Sequence, residues 1–314
     1  MPDDASSTAT AAHTVPETAP AQAPPRIRRV EAIVNPLSGS VGPGAAQALE
    51  KVLAQFGFEA RVHEAEGREL PIAVRTAFDA EPDVVIVLAG DGTAAMAARR
   101  AGPDGPLVMP LPGGTMNMLP HAIYGEAAWE EALSKALKEG TTRPVSGGVV
   151  DGKPFYVGAI FGAPALWGRA REAVRKGRMD LAFSRAQHAL GRAFSGSLRY
   201  SIPNGPSGKS EAIALFCPLM SRKVRAEEAF EVAAMDVKNA GDAFRLGFHA
   251  LTSDWRNDPA VEVMVSRRVK AWARGSIPAL LDGESIRLPG EVEVEFVPEA
   301  FRTLAPPPPS AENC

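Results

Sequence analysis

The chain has 314 residues, of which 45% are hydrophobic and 23% charged, with a formal net charge of −3. That composition supports a sizeable buried core and excludes a wholly disordered or collagen-like chain, while the slight acidity removes any whole-molecule electrostatic case for nucleic acid. Two cysteines, Cys217 and Cys314, can build neither a disulfide framework nor a four-thiolate metal site, which points to a reducing compartment.

Residues 1–27 are rich in Ala, Pro, Ser and Thr, with almost no large apolar side chain to offset the entropy of ordering, and are expected to be a disordered tail. They lack the apolar core of a secretory signal, and no run approaches the ~18–20 apolar residues that cross a bilayer, so a cytoplasmic location is expected. From 28 to 145 short β-branched runs alternate with 3.6-period segments. Strands are expected at 29–34, 59–63, 84–89 and 107–111. Helices are expected over 45–56, 70–78, 93–100 and 127–138, which predicts a doubly wound, mostly parallel α/β sheet. From 146 to 290 the apolar runs shorten (155–160, 212–216, 244–249, 261–265) and turn residues separate them, so an antiparallel β-rich domain is expected, with one helical stretch over 169–194. Residues 291–304 are expected to return toward the first domain, and 305–314 to form a flexible tail.

Three loops follow predicted strands directly: NPLSG at 35–39, GDGT at 90–93 and PGGTMN at 112–117. In a doubly wound sheet the carboxyl ends of the strands share one edge, so the three loops should converge there. Glycines 39, 90, 92, 113 and 114 permit close backbone approach. Helix starts after Thr93 and Thr115 would aim free N–H groups at an anion, with phosphate the natural ligand. Asp-Gly occurs at 91, 104, 151 and 282, and its ordinary meaning is a turn. Asp91 stands apart because glycines flank it at a strand end. LLDGESIRL reads as a hairpin with a two-residue turn, in which Asn-Gly would serve as well as Asp-Gly. The five histidines show no zinc-ligand spacing, and no Gly-x-Ser-x-Gly elbow is present.

NPLSG, GDGT and PGGTMN, followed by DGE at 282–284, resemble in order and spacing the diacylglycerol kinase catalytic-domain family, which includes sphingosine kinases and soluble bacterial lipid kinases. The resemblance implies a NAD-kinase/diacylglycerol-kinase-like α/β nucleotide domain, a β-rich lipid-substrate domain, and ATP- and Mg²⁺-dependent phosphorylation of a lipid hydroxyl in the cleft between them. Carried over by position, Asn35, Ser38, Gly39, Gly90, Asp91, Gly92, Thr93, Gly113, Gly114, Thr115 and Asn117 form the nucleotide site. Asp282 and Glu284 match the late acidic pair, the aspartate as base and the glutamate as the metal-linked group. Either Asp91 or Asp282 could take the proton. The family's Gly-Gly-Asp-Gly-Thr-Asn-Glu here begins at Ala89 and ends in Ala94-Ala95, and its Asn-Asp after the third loop is Asn117-Met118. These departures keep open a second reading, a catalytically weak nucleotide- or lipid-binding regulator. NAD kinase shares GDGT but carries a downstream Asn-Glu, a dipeptide this sequence lacks.

Between Arg169 and Arg199 eight basic residues face two acids, a local balance of 8 − 2 = +6, and a second basic cluster (Arg267, Arg268, Lys270, Arg274) surrounds Trp272. Peripheral contact with an anionic inner-membrane surface is the reading these clusters suggest, with a lipid alcohol as substrate and no nucleic acid partner.

Overall fold

The computed structural model describes residues 26–162, 165, 198–221, 224, 228–236 and 255–306. The helix expected over 169–194, the strand expected over 244–249, most of the first basic cluster and most of both tails lie outside these residues.

The first unit is built on four parallel strands, β1 (Arg29–Val34), β2 (Glu59–Glu64), β3 (Val84–Ala89) and β4 (Leu107–Pro112), in the order β2-β1-β3-β4. The sequences of β3 and β4, VVIVLA and LVMPLP, are buried at every position. A strand with apolar side chains on both faces is stable only when both faces are covered. Helices α1 (Ala45–Leu53) and α5 (Trp129–Glu139) cover one face through Leu49, Leu53, Trp129 and Leu133. The other face is covered by α2 (Leu70–Asp79), α3 (Asp91–Ala101) and α4 (Met118–Tyr124), through Val74, Ala97, Ala98 and Leu119. The sheet is therefore doubly wound, as expected. Because β1 pairs with β2 on one side and β3 on the other, the chain reverses its winding beside β1, and the loops after β1 and β3 flank the crevice where such sheets bind ligands.

Two expectations needed correction here. Helix α3 begins at Asp91 rather than Thr93, because Gly90 is extended (φ −80°, ψ 166°) and its carbonyl already accepts the N–H groups of Thr93 and Ala94. The helix start expected after Thr115 comes three residues later, at Met118, with Asn117 before the short α4 and Gly125 after it as its start and stop residues.

The second unit is a sandwich of two antiparallel sheets. Strand β5 (Thr141–Val150) leads into β6 (Lys153–Phe155) and β7 (Gly158–Gly162), so the single run expected over 155–160 is broken at Tyr156 and Val157. Then come β8 (Leu198–Ser201), β9 (Ser207–Ser210), β10 (Ala212–Phe216), β11 (Phe230–Met235), β12 (Val261–Ser266) and β13 (Arg268–Trp272). The hairpin β14 (Ile277–Leu281) and β15 (Glu284–Leu288) precedes the long β16 (Glu291–Ala305). The sheet orders are β12-β11-β10-β7-β14-β15 and β6-β5-β16-β13-β8-β9. Phe155, Phe161, Phe230, Val269 and Val294 fill the space between them.

Paired strands β5 and β16 span both units. Val150 and Val294 belong to the sandwich core, whereas Val145 and Phe301 pack on α3 and Leu304 reaches the α1–α5 face. A register shift between Val297 and Phe301 bends the pair where it leaves the sandwich. Beyond it, the Tyr124 hydroxyl at the end of α4 donates to Leu304 O at 3.0 Å.

Gly148 of β5 lies against the stacked Phe155 and Phe230 rings, and an added β-carbon there would stand 2.6 Å from Phe230 Cζ and overlap the Phe155 ring. Gly148→Ala should therefore destabilise the fold by about 1–3 kcal/mol through overpacking, read as a lower midpoint in urea unfolding.

Candidate active site

The three glycine loops meet backbone to backbone. A β-carbon on Gly39 would overlap the carbonyl group of Gly114, and one on Gly114 would lie 2.8 Å from Gly90 Cα and 3.2 Å from Asn117 Oδ1. Gly113 is equally confined, 2.9 Å from Ala89 N by the same measure. Hydrogen bonds complete the junction: Ser40 N donates to Gly113 O at 3.4 Å and Gly114 N donates to Asn117 Oδ1 at 2.6 Å. Asn117 itself adopts φ 48°, ψ 38°, which its short polar side chain tolerates, and it turns the third loop into α4. Asn35, at the end of β1, accepts Leu37 N–H on Oδ1 at 3.1 Å and so shapes the first loop.

Gly92 differs from its neighbours. It sits in the first turn of α3, it is exposed, and a β-carbon added to it would meet nothing within 4 Å. Its N–H has no acceptor within the helix, so the positive end of the α3 dipole opens toward solvent at this residue. Glycines 39, 113 and 114 thus bring the loops together, whereas Gly92 leaves room for something to approach. Ser38 and Thr115 lie on the same junction, Ser38 Oγ 3.3 Å from where a Gly90 β-carbon would be and Thr115 N 2.9 Å from that of Gly39. Thr93 is buried behind Gly92.

Two carboxylates border this edge, one from each unit. Asp91 Oδ1 accepts Leu119 N–H at 3.2 Å and so caps α4 from the start of α3. Burial raises its pKa above the ordinary 3.8, against the lowering effect of the α4 backbone N–H groups. Asp282 occupies the first position of the β14–β15 turn. With φ 45° there and φ 82° at Gly283, the turn has the mirror-image geometry that suits a right-twisted hairpin, as the sequence predicted. Its carboxylate does more than shape the turn. Oδ2 accepts Tyr156 N–H at 2.7 Å, and Oδ1 accepts both Val157 N–H and Gly158 N–H at 2.9 Å. These are the residues that break the expected strand between β6 and β7. Burial pushes the Asp282 pKa up, the three N–H groups pull it down, and the nearby Asp91 charge adds to the rise, leaving it raised overall.

The expectation that Asn would replace Asp282 without structural consequence is therefore overturned. An amide presents one acceptor and one donor, so its NH₂ would face either Tyr156 N–H or the Val157 and Gly158 N–H groups. These contacts join residues 124 to 126 positions apart in sequence, and no local pattern announces them. Gly283 completes the bridge between units: a β-carbon on it would lie 3.2 Å from Met118 Sδ, so the hairpin turn rests on the first residue of α4.

Glu284, the first residue of β15, pairs with Leu281 through the strand ladder, and its exposed side chain forms no hydrogen bond or ion pair among the described residues. No group of three or more His, Cys, Asp or Glu among the described residues could hold a metal ion by itself. What the donor set does suit is Mg²⁺ carried mainly by phosphate oxygens and water, with one carboxylate from the protein, the usual arrangement for a nucleotide-bound ion.

Three of the four basic residues of the second cluster are paired with glutamates. Arg267 pairs with Glu228 at 3.2 Å, Arg268 with Glu295 at 3.4 Å, and Lys270 with Glu291 at 3.1 Å. No helix among the described residues is long and apolar enough to cross a membrane.

A doubly wound α/β unit with three glycine loops meeting at its switch point, joined to an antiparallel sandwich, is a two-unit architecture shared with solved structures. One, a diacylglycerol kinase from Bacillus anthracis str. Sterne, superposes with a TM-score of 0.64 at 16% identity, covering 90% of this chain and 98% of its own. Another provisionally assigned diacylglycerol kinase from the same organism gives 0.67 at 17% identity, covering 90% and 99%. An NAD kinase from Archaeoglobus fulgidus reaches only 0.47 at 13% identity, covering 88% and 93%, too distant to support an argument. None of the curated proteins matches the chain. Residues 29–150 match the family model described as the diacylglycerol kinase catalytic domain.

Two outcomes are expected of the acidic pair. Asp282→Asn should lower stability by about 1–3 kcal/mol, the cost of leaving a buried backbone N–H without its acceptor, measured by thermal or urea unfolding. The second concerns pH. Asp91 and Asp282 bind protons more tightly folded than unfolded, so the folded state takes up protons in the window that opens at the ordinary 3.8 and closes at the raised values. Their contribution to stability should fall as pH rises through that window. Unfolding curves of the parent and of Asp91→Asn at successive pH values should therefore differ in slope there, the variant losing less stability as pH rises.

Proposed function

We propose that this protein is an ATP-dependent kinase that transfers the γ-phosphate to the hydroxyl of a lipid alcohol, diacylglycerol-like in chemistry. The observation that carries the reading is the junction of Gly39, Gly90 and Gly114 beside the open start of α3. It is a cradle of backbone N–H groups at the edge where doubly wound sheets take phosphates. The match of residues 29–150 to the diacylglycerol kinase catalytic-domain model supports the choice of acceptor.

In this reading the triphosphate lies across Gly92 and the third loop, with its charge met by the α3 dipole. The acceptor oxygen bonds to the γ-phosphorus, the bond to the bridging oxygen of ADP breaks, and the hydroxyl proton passes to a carboxylate. Asp282 is the better placed of the two acids for that proton. Its raised pKa brings its basicity closer to neutral pH, and Oδ2, with a single N–H bond, keeps a lone pair that Oδ1 has already spent. Asp91, which caps α4, positions the third loop. Glu284 would hold Mg²⁺ on the phosphates, where the ion supplies charge neutralisation.

The lipid assignment is tested by incubating the purified chain with labelled ATP, Mg²⁺ and either NAD or a panel of micellar lipid alcohols. Label is expected in a lipid. Label in NAD would make the protein an NAD kinase, and label in neither would favour the regulatory reading. Gly92→Val should keep the parent melting temperature, since the protein leaves space there, while weakening nucleotide binding at least tenfold by blocking close approach to the helix start. Asp91→Ala should nearly abolish turnover through loss of the α4 cap beside the cradle.

A further inference from the structure

Arg302 of β16 has an unmet hydrogen bond. Its Nη2 donates to Gly105 O at 2.9 Å, but its Nε is buried and has no acceptor, the one buried side-chain nitrogen or oxygen among the described residues in that condition. Buried polar groups are nearly always hydrogen-bonded, so an orphan donor calls for a physical reason. Arg302 lines a cleft of about 530 Å³, within the ~300–1,000 Å³ range of small-molecule sites. The cleft lies at the opposite end of the parallel strands from the glycine loops, where Ile27 leads into β1, Asp83 into β3 and Pro106 into β4.

The rest of the wall is part apolar and part acidic. Ile27, Phe78 and Pro106 supply the apolar part, and Asp83 and Asp104 each supply a carboxylate. Asp83 Oδ2 accepts Arg29 N–H at 2.9 Å and Arg28 N–H at 2.8 Å, bonds that hold its carboxyl below the ordinary 3.8 and keep it ionised at neutral pH. The exposed Asp104 carboxylate forms no hydrogen bond or ion pair among the described residues. Arg26 and Glu81 add one charge of each sign. Arg302, Asp83 and Asp104 thus share one cleft, yet neither acid forms an ion pair with the guanidinium.

We propose that this cleft binds a small zwitterion with an apolar body, an amino acid or short peptide with free termini, whatever reaction the glycine loops support. The ligand carboxylate gives the guanidinium the acceptor it lacks, in the charge-assisted pairing to which arginine is best suited. The ammonium group meets Asp83 and Asp104, and the apolar side chain covers Phe78 and Ile27. A simple anion would be repelled by the two carboxylates, and a simple cation would leave Arg302 Nε without an acceptor. Arg302 lies on β16 beyond the irregularity between Val297 and Phe301, whereas both acids belong to the α/β unit, so the bound ligand braces the β5–β16 ribbon against that unit.

Thermal unfolding of the full-length chain with L-phenylalanine, a leucyl-phenylalanine dipeptide, phenethylamine and 3-phenylpropionate separates the two charges. A ligand that binds only the folded chain raises the melting temperature by mass action, so at least one zwitterion at about 10 mM should raise it by about 2 °C or more. The amine and the carboxylate alone should each give less than about half that shift. Asp104→Asn removes a charge from an exposed side chain without partners, so it should keep the parent melting temperature while cutting the zwitterion shift at least about twofold. Arg302→Gln should abolish the shift, and Asp104→Asn decides the matter if that variant fails to fold. No shift with either zwitterion, an equal shift from phenethylamine or 3-phenylpropionate alone, or an undiminished shift in Asp104→Asn would overturn the site.

Discussion

The close approach of three backbone segments, around Gly39, Gly90 and Gly114, is the constraint on which the candidate site depends. Any side chain at Gly39 or Gly114 would hold the loops apart and separate the N–H groups of the proposed anion cradle. The loops can meet only because β1, β3 and β4 are parallel neighbours of equal length whose carboxyl ends lie level. That alignment depends in turn on two buried faces, one covered by α1 and α5 and the other by α2, α3 and α4. A polar function at the sheet edge is thus supported by an apolar strand interior.

The acids at the site serve the fold before they serve chemistry. Asp91 ties the start of α3 to the start of α4, and Asp282 ties the β14–β15 turn to the break between β6 and β7. Met118 and Gly283, in contact, connect these two clamps across the units. The arrangement explains why two carboxylates are kept partly buried near each other despite the electrostatic cost. Each is compensated by backbone N–H groups that would otherwise lack partners. It also explains how a methionine can stand where the family's pattern has an acid. The position packs under the hairpin turn, where a thioether fits and a third carboxylate beside Asp91 and Asp282 would add repulsion.

The β5–β16 pair supplies the other connection. Because one continuous ribbon contributes Val150 and Val294 to the sandwich, Val145 and Phe301 to the α3 side, and Leu304 to the α1–α5 side, the units share a spine rather than a flexible linker. Relative movement of the units would bend this ribbon at the irregularity between Val297 and Phe301. The Tyr124 bond to Leu304 O beyond that point ties the spine to α4, and so to the third glycine loop.

The α/β unit was legible in the sequence because its determinants are local. Continuous apolar runs mark strands buried on both faces, and β1 and β3 coincide with their expected bounds. Asp-Gly at 282–283 marks a two-residue hairpin for the same reason, since turn geometry depends on the φ angles of the residues that make it. The three motifs were visible, and parallel-sheet topology was enough to infer that they converge. Tertiary structure alone decided what each residue does there. Gly92 looks like any other glycine of the motifs until its surroundings are seen to be empty, while Gly39 and Gly114 prove to be contact points. The run from Phe155 onward reads as one strand, yet it is broken where Asp282, 124 to 126 residues away, takes up three consecutive N–H groups. The cluster around Trp272 reads as uncompensated positive charge, yet three of its four basic residues, Arg267, Arg268 and Lys270, are paired with Glu228, Glu295 and Glu291. Periodicity and turn chemistry act between neighbours in the chain, whereas hydrogen-bond satisfaction, charge compensation and free space depend on neighbours in three dimensions, and only folding brings those together.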